Sequence, residues 1–168
     1  VCVLEPPEHA SRSSCLSPTI LQIKFHQMPV EIAKQVNMAL STCPDSSIGI
    51  LTHPEKKALR AEISRELEEL GVEHDAPRYS EERGRNVVDR PYMIVDSWNA
   101  LKGVEFDAVI IAGVDLADGF EEKAGLYVAM TRSREHLIIL YDCKSSTTYL
   151  IEECLKSPEK LSFKPPES

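Results

Sequence analysis

Short apolar runs in this chain alternate with stretches of helical period, and that alternation constrains the fold more than any other feature. TILQIKF (19–25) alternates as a strand does, and after Pro29 the apolar residues Ile32, Ala33, Val36 and Leu40 return at helical spacing. SIGILT (47–52) is again short and apolar. Pro54 suits the first position of a helix whose stripe of Leu59, Ile63, Leu67 and Leu70 stops at Gly71. PYMIVDS (91–97), FDAVIIAGV (106–114) and HLIILYD (136–142) are three more runs of strand length, the last two separated by the helical EEKAGLYVAMTRSR. Strands and helices in this order predict an α/β fold: a doubly wound, mainly parallel sheet with helices on both faces. Ligands of such sheets sit in the crevice beyond the carboxyl ends of the strands, where Asp96-Ser97 and Val114-Asp115 end two of the runs.

A length of 168 residues with 42% hydrophobic side chains supports one domain with a real core and leaves no room for a second large one. Residues 1–18, with three prolines and four serines, read as a linker or chain edge, residues 19–145 as the ordered domain, and 146–168 as a C-terminal helix and tail. The polar stretch from Glu73 to Arg90 reads as a long surface loop. The balance of 27 acidic and 19 basic residues, net charge −8, argues against a free-standing nucleic-acid binder with a basic face, so any strand contact is local. Five cysteines without CxxC or zinc spacing fit reduced thiols, and neither a membrane-length apolar run nor a secretory pattern is present. These features point to an intracellular protein, cytoplasmic or nuclear.

Two segments carry chemistry. SWNALKGVEFDAVII (97–111) sets a hydroxyl, an amide, a Lys-Gly pair and a Glu that looks buried between two strands. Gly103 permits close backbone approach, and Glu105 offers an acceptor for a sugar hydroxyl or a fixed cation; the alternative is a turn whose Glu105 pairs with a nearby Lys or Arg. LYVAMTRSREHLIIL (126–140) sets Arg132 and Arg134 where a helix leads into a strand. Cations there complement the helix carboxyl end. Alternatively, an arginine at a domain edge reaches a transferring phosphoryl group, an effect of roughly 10³–10⁵ in rate where such fingers operate.

In this order, KGVEFDAVII and LYVAMTRSREHLIIL resemble motifs V and VI of superfamily 1, UvrD/Rep-like helicases, and ILTHPEKKALRAEISRELEELGV (50–72) resembles motif IV. The resemblance implies the second RecA-like motor domain of an ATP-dependent DNA helicase or translocase. It implies that Arg132, at the surface beside the crevice beyond the strand ends, touches the ATP γ-phosphate as an arginine finger, that Glu105 lies near the nucleotide ribose, and that Gly103 lets the backbone approach. Ser97 and Asn99 stand where the family usually has Thr and His on the side that holds the single strand, with Lys102 following. Trp98 replaces a small aliphatic residue and either stacks on a base or fills core. His53 stands where motif IV commonly has arginine; the alternative is an exposed helix-capping histidine.

The chain has no G-x-x-x-x-G-K-[ST] loop and no apolar strand ending in an Asp-Glu pair. In the family those parts, which hold ATP phosphates and Mg2+, belong to the N-terminal RecA-like domain. The expected partners are therefore that domain and single-stranded nucleic acid, DNA in the first instance, with the isolated chain inactive. Two other readings stay open: a helicase-like regulatory or protein-binding module that no longer turns over ATP, and an RNA-directed superfamily 1 helicase.

Overall fold

The computed structural model describes residues 19–76, 93–100, 103–114, 120–142 and 162–164. Among these residues six strands form one sheet: β1 (Thr19–Gln22), β2 (Ile48–Thr52), β3 (Met93–Ser97), β4 (Phe106–Ala112), β5 (Ser133–Tyr141) and β6 (Ser162–Lys164). Their spatial order is β3-β2-β4-β5-β1-β6, and every pairing is parallel. Among the described residues the α-helices are α1 (Met28–Thr42), α2 (Lys57–Glu69) and α3 (Phe120–Met130).

Successive strand residues point to opposite faces, so a parallel sheet flanked by helices carries two cores. Leu21, Ile50, Val95, Ile110 and Ile138 face α1 and α2 with Ile32, Val36, Leu59, Ile63 and Leu67. Ile20, Leu51, Ile94, Ile111 and Ile139 face the other way, toward Leu126, Ala129 and Met130 of α3. The expected doubly wound sheet with helices on both faces is the one observed.

One irregularity shapes the start of β4. Phe106 and Val109 lie three apart in sequence yet share a core, and next to Phe106 the pairing with β5 shifts register, between Phe106 and Ala108. Asp107 is the one β4 residue between the pairs Phe106–Ser133 and Ala108–His136 and faces two residues of β5, Arg134 and Glu135, so the extra residue lies on β5. The Asp107 side chain accepts from the Ser47 amide (2.9 Å) and from Arg134 Nη2 (2.8 Å), while its own amide donates to Ser47 Oγ (2.9 Å). The Phe106 ring then lies across Gly49, where a Cβ would come within 2.8 Å of it, so β2 needs glycine at that crossing.

Several boundaries differ from the sequence reading. β1 stops at Gln22 instead of Phe25, because the chain turns into a 3-10 turn at Phe25–Gln27, with the Phe25 amide held by Asp142 Oδ2 at 2.9 Å. Pro54 precedes α2 by a full turn: the Lys56 amide closes on the His53 carbonyl at 2.9 Å, which makes Pro54 a turn residue. Leu70 is exposed, since α2 ends at Glu69; Val72 takes its place against the core after Gly71 turns the chain at φ +71°. β5 begins three residues earlier than the run from His136 suggested. Residue 75, expected in a surface loop, pairs with β3: its amide donates to the Met93 carbonyl and its carbonyl accepts from the Val95 amide, both at 2.8 Å. Nearby, His74 Nδ1 donates to the Val72 carbonyl (2.9 Å), and Nε2 shares a hydrogen bond with Ser64 of α2. Finally, 162–164 is a strand beside β1 where a tail was expected. Among the described residues no helix is long and apolar enough to cross a membrane.

Candidate functional site

The all-parallel sheet separates the candidate residues onto two edges. At the amino edge, the Phe106 amide donates to the Arg132 carbonyl at 2.8 Å, and Phe106 pairs with Ser133 in register. Glu105 and Arg132 are therefore neighbours across the first rung of β4 and β5. The sequence reading set Arg132 beside the crevice beyond the carboxyl ends of the strands. The topology corrects this, because a helix that returns to start a parallel strand must end at the amino edge, and Arg132 immediately precedes β5.

Arg132 is half-buried and has no ion-pair partner among the described residues; its Nε is buried without a hydrogen bond. Its neighbour in sequence behaves differently: Arg134 lies within β5 and forms a surface ion pair with Asp107 at 2.8 Å. Glu105, which the strand context made look buried, is exposed and likewise has no ion-pair partner among the described residues. Gly103 has φ +77° with open space where a Cβ would stand. Its glycine requirement is conformational, arising from the left-handed region, not from crowding.

At the carboxyl edge stand Thr52, His53, Ser97, Trp98 and Asn99. The Trp98 amide donates to the Thr52 carbonyl at 3.0 Å, which ties the turn after β3 to the end of β2. Ser97 is half-buried and Asn99 exposed. Asp96, buried at 2% exposure, accepts from the Ser97 amide through Oδ1 at 2.7 Å and so fixes the backbone at that point. Trp98 fills core: it is 2% exposed and its ring meets His53 edge-on, with centroids 5.2 Å apart. His53 itself is 3% exposed, and its Nδ1 accepts from the Glu55 amide at 3.1 Å. A ring buried against Trp98 is not the exposed cap of the alternative reading. Lys102 lies outside the described residues.

Sequence reasoning missed Arg60. From α2 its guanidinium donates to Thr52 Oγ1 (2.8 Å) and to the carbonyls of His53 (3.0 Å) and Pro54 (3.2 Å), clamping the turn at the end of β2. Its position on the helix, seven residues after His53, gave no motif; only the fold-back of α2 brings the two together. Among the described residues no cluster of three or more His, Cys, Asp or Glu could hold a metal ion.

Comparison with known proteins follows the same segment of chain. Residues 92–140 match the UvrD-like helicase C-terminal domain. The UvrD-like match contains both KGVEF and YVAMTR, whereas the segment 50–72 lies outside it. Among solved structures, the chain is similar to the C-terminal domain of a possible DNA helicase from Lactobacillus plantarum WCFS1, with a TM-score of 0.64 and 19% identity over 88% of this chain and 84% of that one. At that identity the likeness is one of fold. No curated protein matches the sequence.

Proposed function

We propose that this chain is the second motor half of an ATP-dependent nucleic-acid helicase or translocase, completed by an N-terminal RecA-like domain that supplies the phosphate loop and holds Mg2+. The observation that carries the reading is the bond from the Phe106 amide to the Arg132 carbonyl, which makes Glu105 and Arg132 neighbours at one sheet edge, neither of them ion-paired among the described residues. A surface arginine without a carboxylate partner is suited to an anion brought by another domain, because its planar fork of donors matches phosphate oxygens. The buried Nε of Arg132 fits this assignment: a terminal phosphate at the guanidinium would offset a desolvated donor. Glu105, exposed beside it, would accept from a ribose hydroxyl.

ATP bound between the two domains supplies the phosphoryl group; this chain orients and neutralises. Ser97 and Asn99, at the opposite edge, would face the single strand, DNA in the first instance. An edge-to-edge separation of about 20 Å, the length of an ordinary strand, keeps the two ligands apart. The test is hydrolysis by the two-domain protein. Arg132→Ala should lower kcat by at least ~10²-fold with folding retained; full activity in that variant would refute the assignment.

A further inference from the structure

Gly125 lies on α3 where no side chain has room. A Cβ there would collide with Asn99 Oδ1 and stand 3.3 Å from Trp98 Nε1 and 3.4 Å from Trp98 Cδ1. The turn after β3 is therefore wedged against the helix at one point, with Asn99 still open to solvent on its outer side. Trp98 is held on its other sides by the Thr52 carbonyl, the His53 ring, and a core shared with Leu126, Ala129 and Met130. It cannot follow Asn99 outward. Beyond Gly125 the helical bonding continues to the candidate arginine, with the Thr131 amide on the Tyr127 carbonyl and the Arg132 amide on the Ala129 carbonyl, both at 3.1 Å. Seven residues at the helical rise make this a rod of about 10 Å.

We infer that the contact of Asn99 with Gly125 links the two edges, so that nucleic acid drawing on the Asn99 amide at the carboxyl edge resets α3 and with it Arg132 at the amino edge. The roles of Asn99 and Arg132 rest on the function proposed above; the contact does not. Close-packed side chains transmit a displacement instead of absorbing it. Since the Asn99 oxygen occupies the volume that a residue 125 side chain would take, moving that amide changes the seat of the helix directly. Trp98, anchored beneath, is the fulcrum.

Two variants probe the link from opposite sides: Gly125→Ala fills the seat and Asn99→Ala empties it. In the two-domain protein, both should cut the stimulation of ATP hydrolysis by single-stranded DNA by roughly 5- to 150-fold, the usual span of coupling between sites. The basal rate of Gly125→Ala should stay within about twofold of wild type, a difference of about 0.4 kcal/mol in barrier. In the 168-residue chain, each variant should shift the Arg132 amide resonance, while emission from Trp98, the sole tryptophan, reports that the core is intact. Retained stimulation in both folded variants, or an Arg132 resonance that neither variant moves, overturns the inference. If the wild-type two-domain protein hydrolyses no ATP, the proposed function fails, and the Arg132 resonance still decides whether the link exists.

Discussion

The amide of Phe106 donates to the carbonyl of Arg132 at 2.8 Å, and this one bond fixes where a carboxylate at 105 and a guanidinium at 132 stand relative to each other. The two residues are far apart in sequence and come from different connections. Their meeting depends on β4 and β5 being parallel neighbours, with β5 taking up the register shift between Ser133 and His136, just after the contact.

Arg132 and Arg134 should separate cleanly by mutation. Arg132→Lys should restore little of the hydrolysis lost in the alanine variant, because an ammonium lacks the planar fork that spans phosphate oxygens. Arg134→Ala should keep most activity and cost about 0.2–1 kcal/mol, the range for an exposed ion pair such as the one with Asp107. Steady-state kinetics and urea unfolding of both variants check this; a more damaging Arg134 variant would move the finger assignment.

Gly49→Ala should destabilise the domain by about 1–3 kcal/mol through overpacking. The added methyl would stand 2.8 Å from the fully buried Phe106 ring, which has no outward path. A lowered urea midpoint at unchanged slope is the expected result. In the double variant with Phe106→Leu, part of that loss should return.

Arg60→Met keeps the aliphatic packing of the side chain and removes its three hydrogen bonds to the turn after β2. The expected cost is about 1–3 kcal/mol, since part-buried acceptors lose a charged donor. Loosening should be local: the Lys56 amide, which closes that turn on the His53 carbonyl, should exchange with solvent faster, while amides of β5 keep their protection.

The chain alone should hydrolyse no ATP above background and bind it in the millimolar range or weaker, because its sequence has no phosphate loop. It should also bind single strands feebly at physiological salt, given the net charge of −8. Calorimetry that gave micromolar ATP affinity, or tight salt-sensitive DNA binding, would contradict the half-site reading.

The sheet was legible because its strands are apolar runs bounded by turn residues, and the burial of Ile50, Ile110 and Ile138 on one face follows from that pattern. Less legible was everything set by tertiary closure. Arg132 stands at the amino edge because the helix before a parallel strand ends there, which the order of motifs along the chain does not reveal. His53 was read as exposed because histidine after a strand usually is; here Trp98 covers it. Glu105 appeared buried from its apolar neighbours, yet it precedes the first rung of β4 and faces solvent. Short strands such as Ser162–Lys164 carry too few residues to show a period at all.

That last strand has a consequence for shortening the chain. Ser162–Lys164 pairs with Thr19–Leu21 along the flank of β1 that β5 leaves open. A truncation after Asp142 would strip this cover and leave a row of unsatisfied amides and carbonyls beside the apolar pair Ile20 and Leu21. Such a flank templates pairing with another molecule, so the shortened protein should self-associate, and size-exclusion chromatography across a concentration series would register it as a shift to larger species.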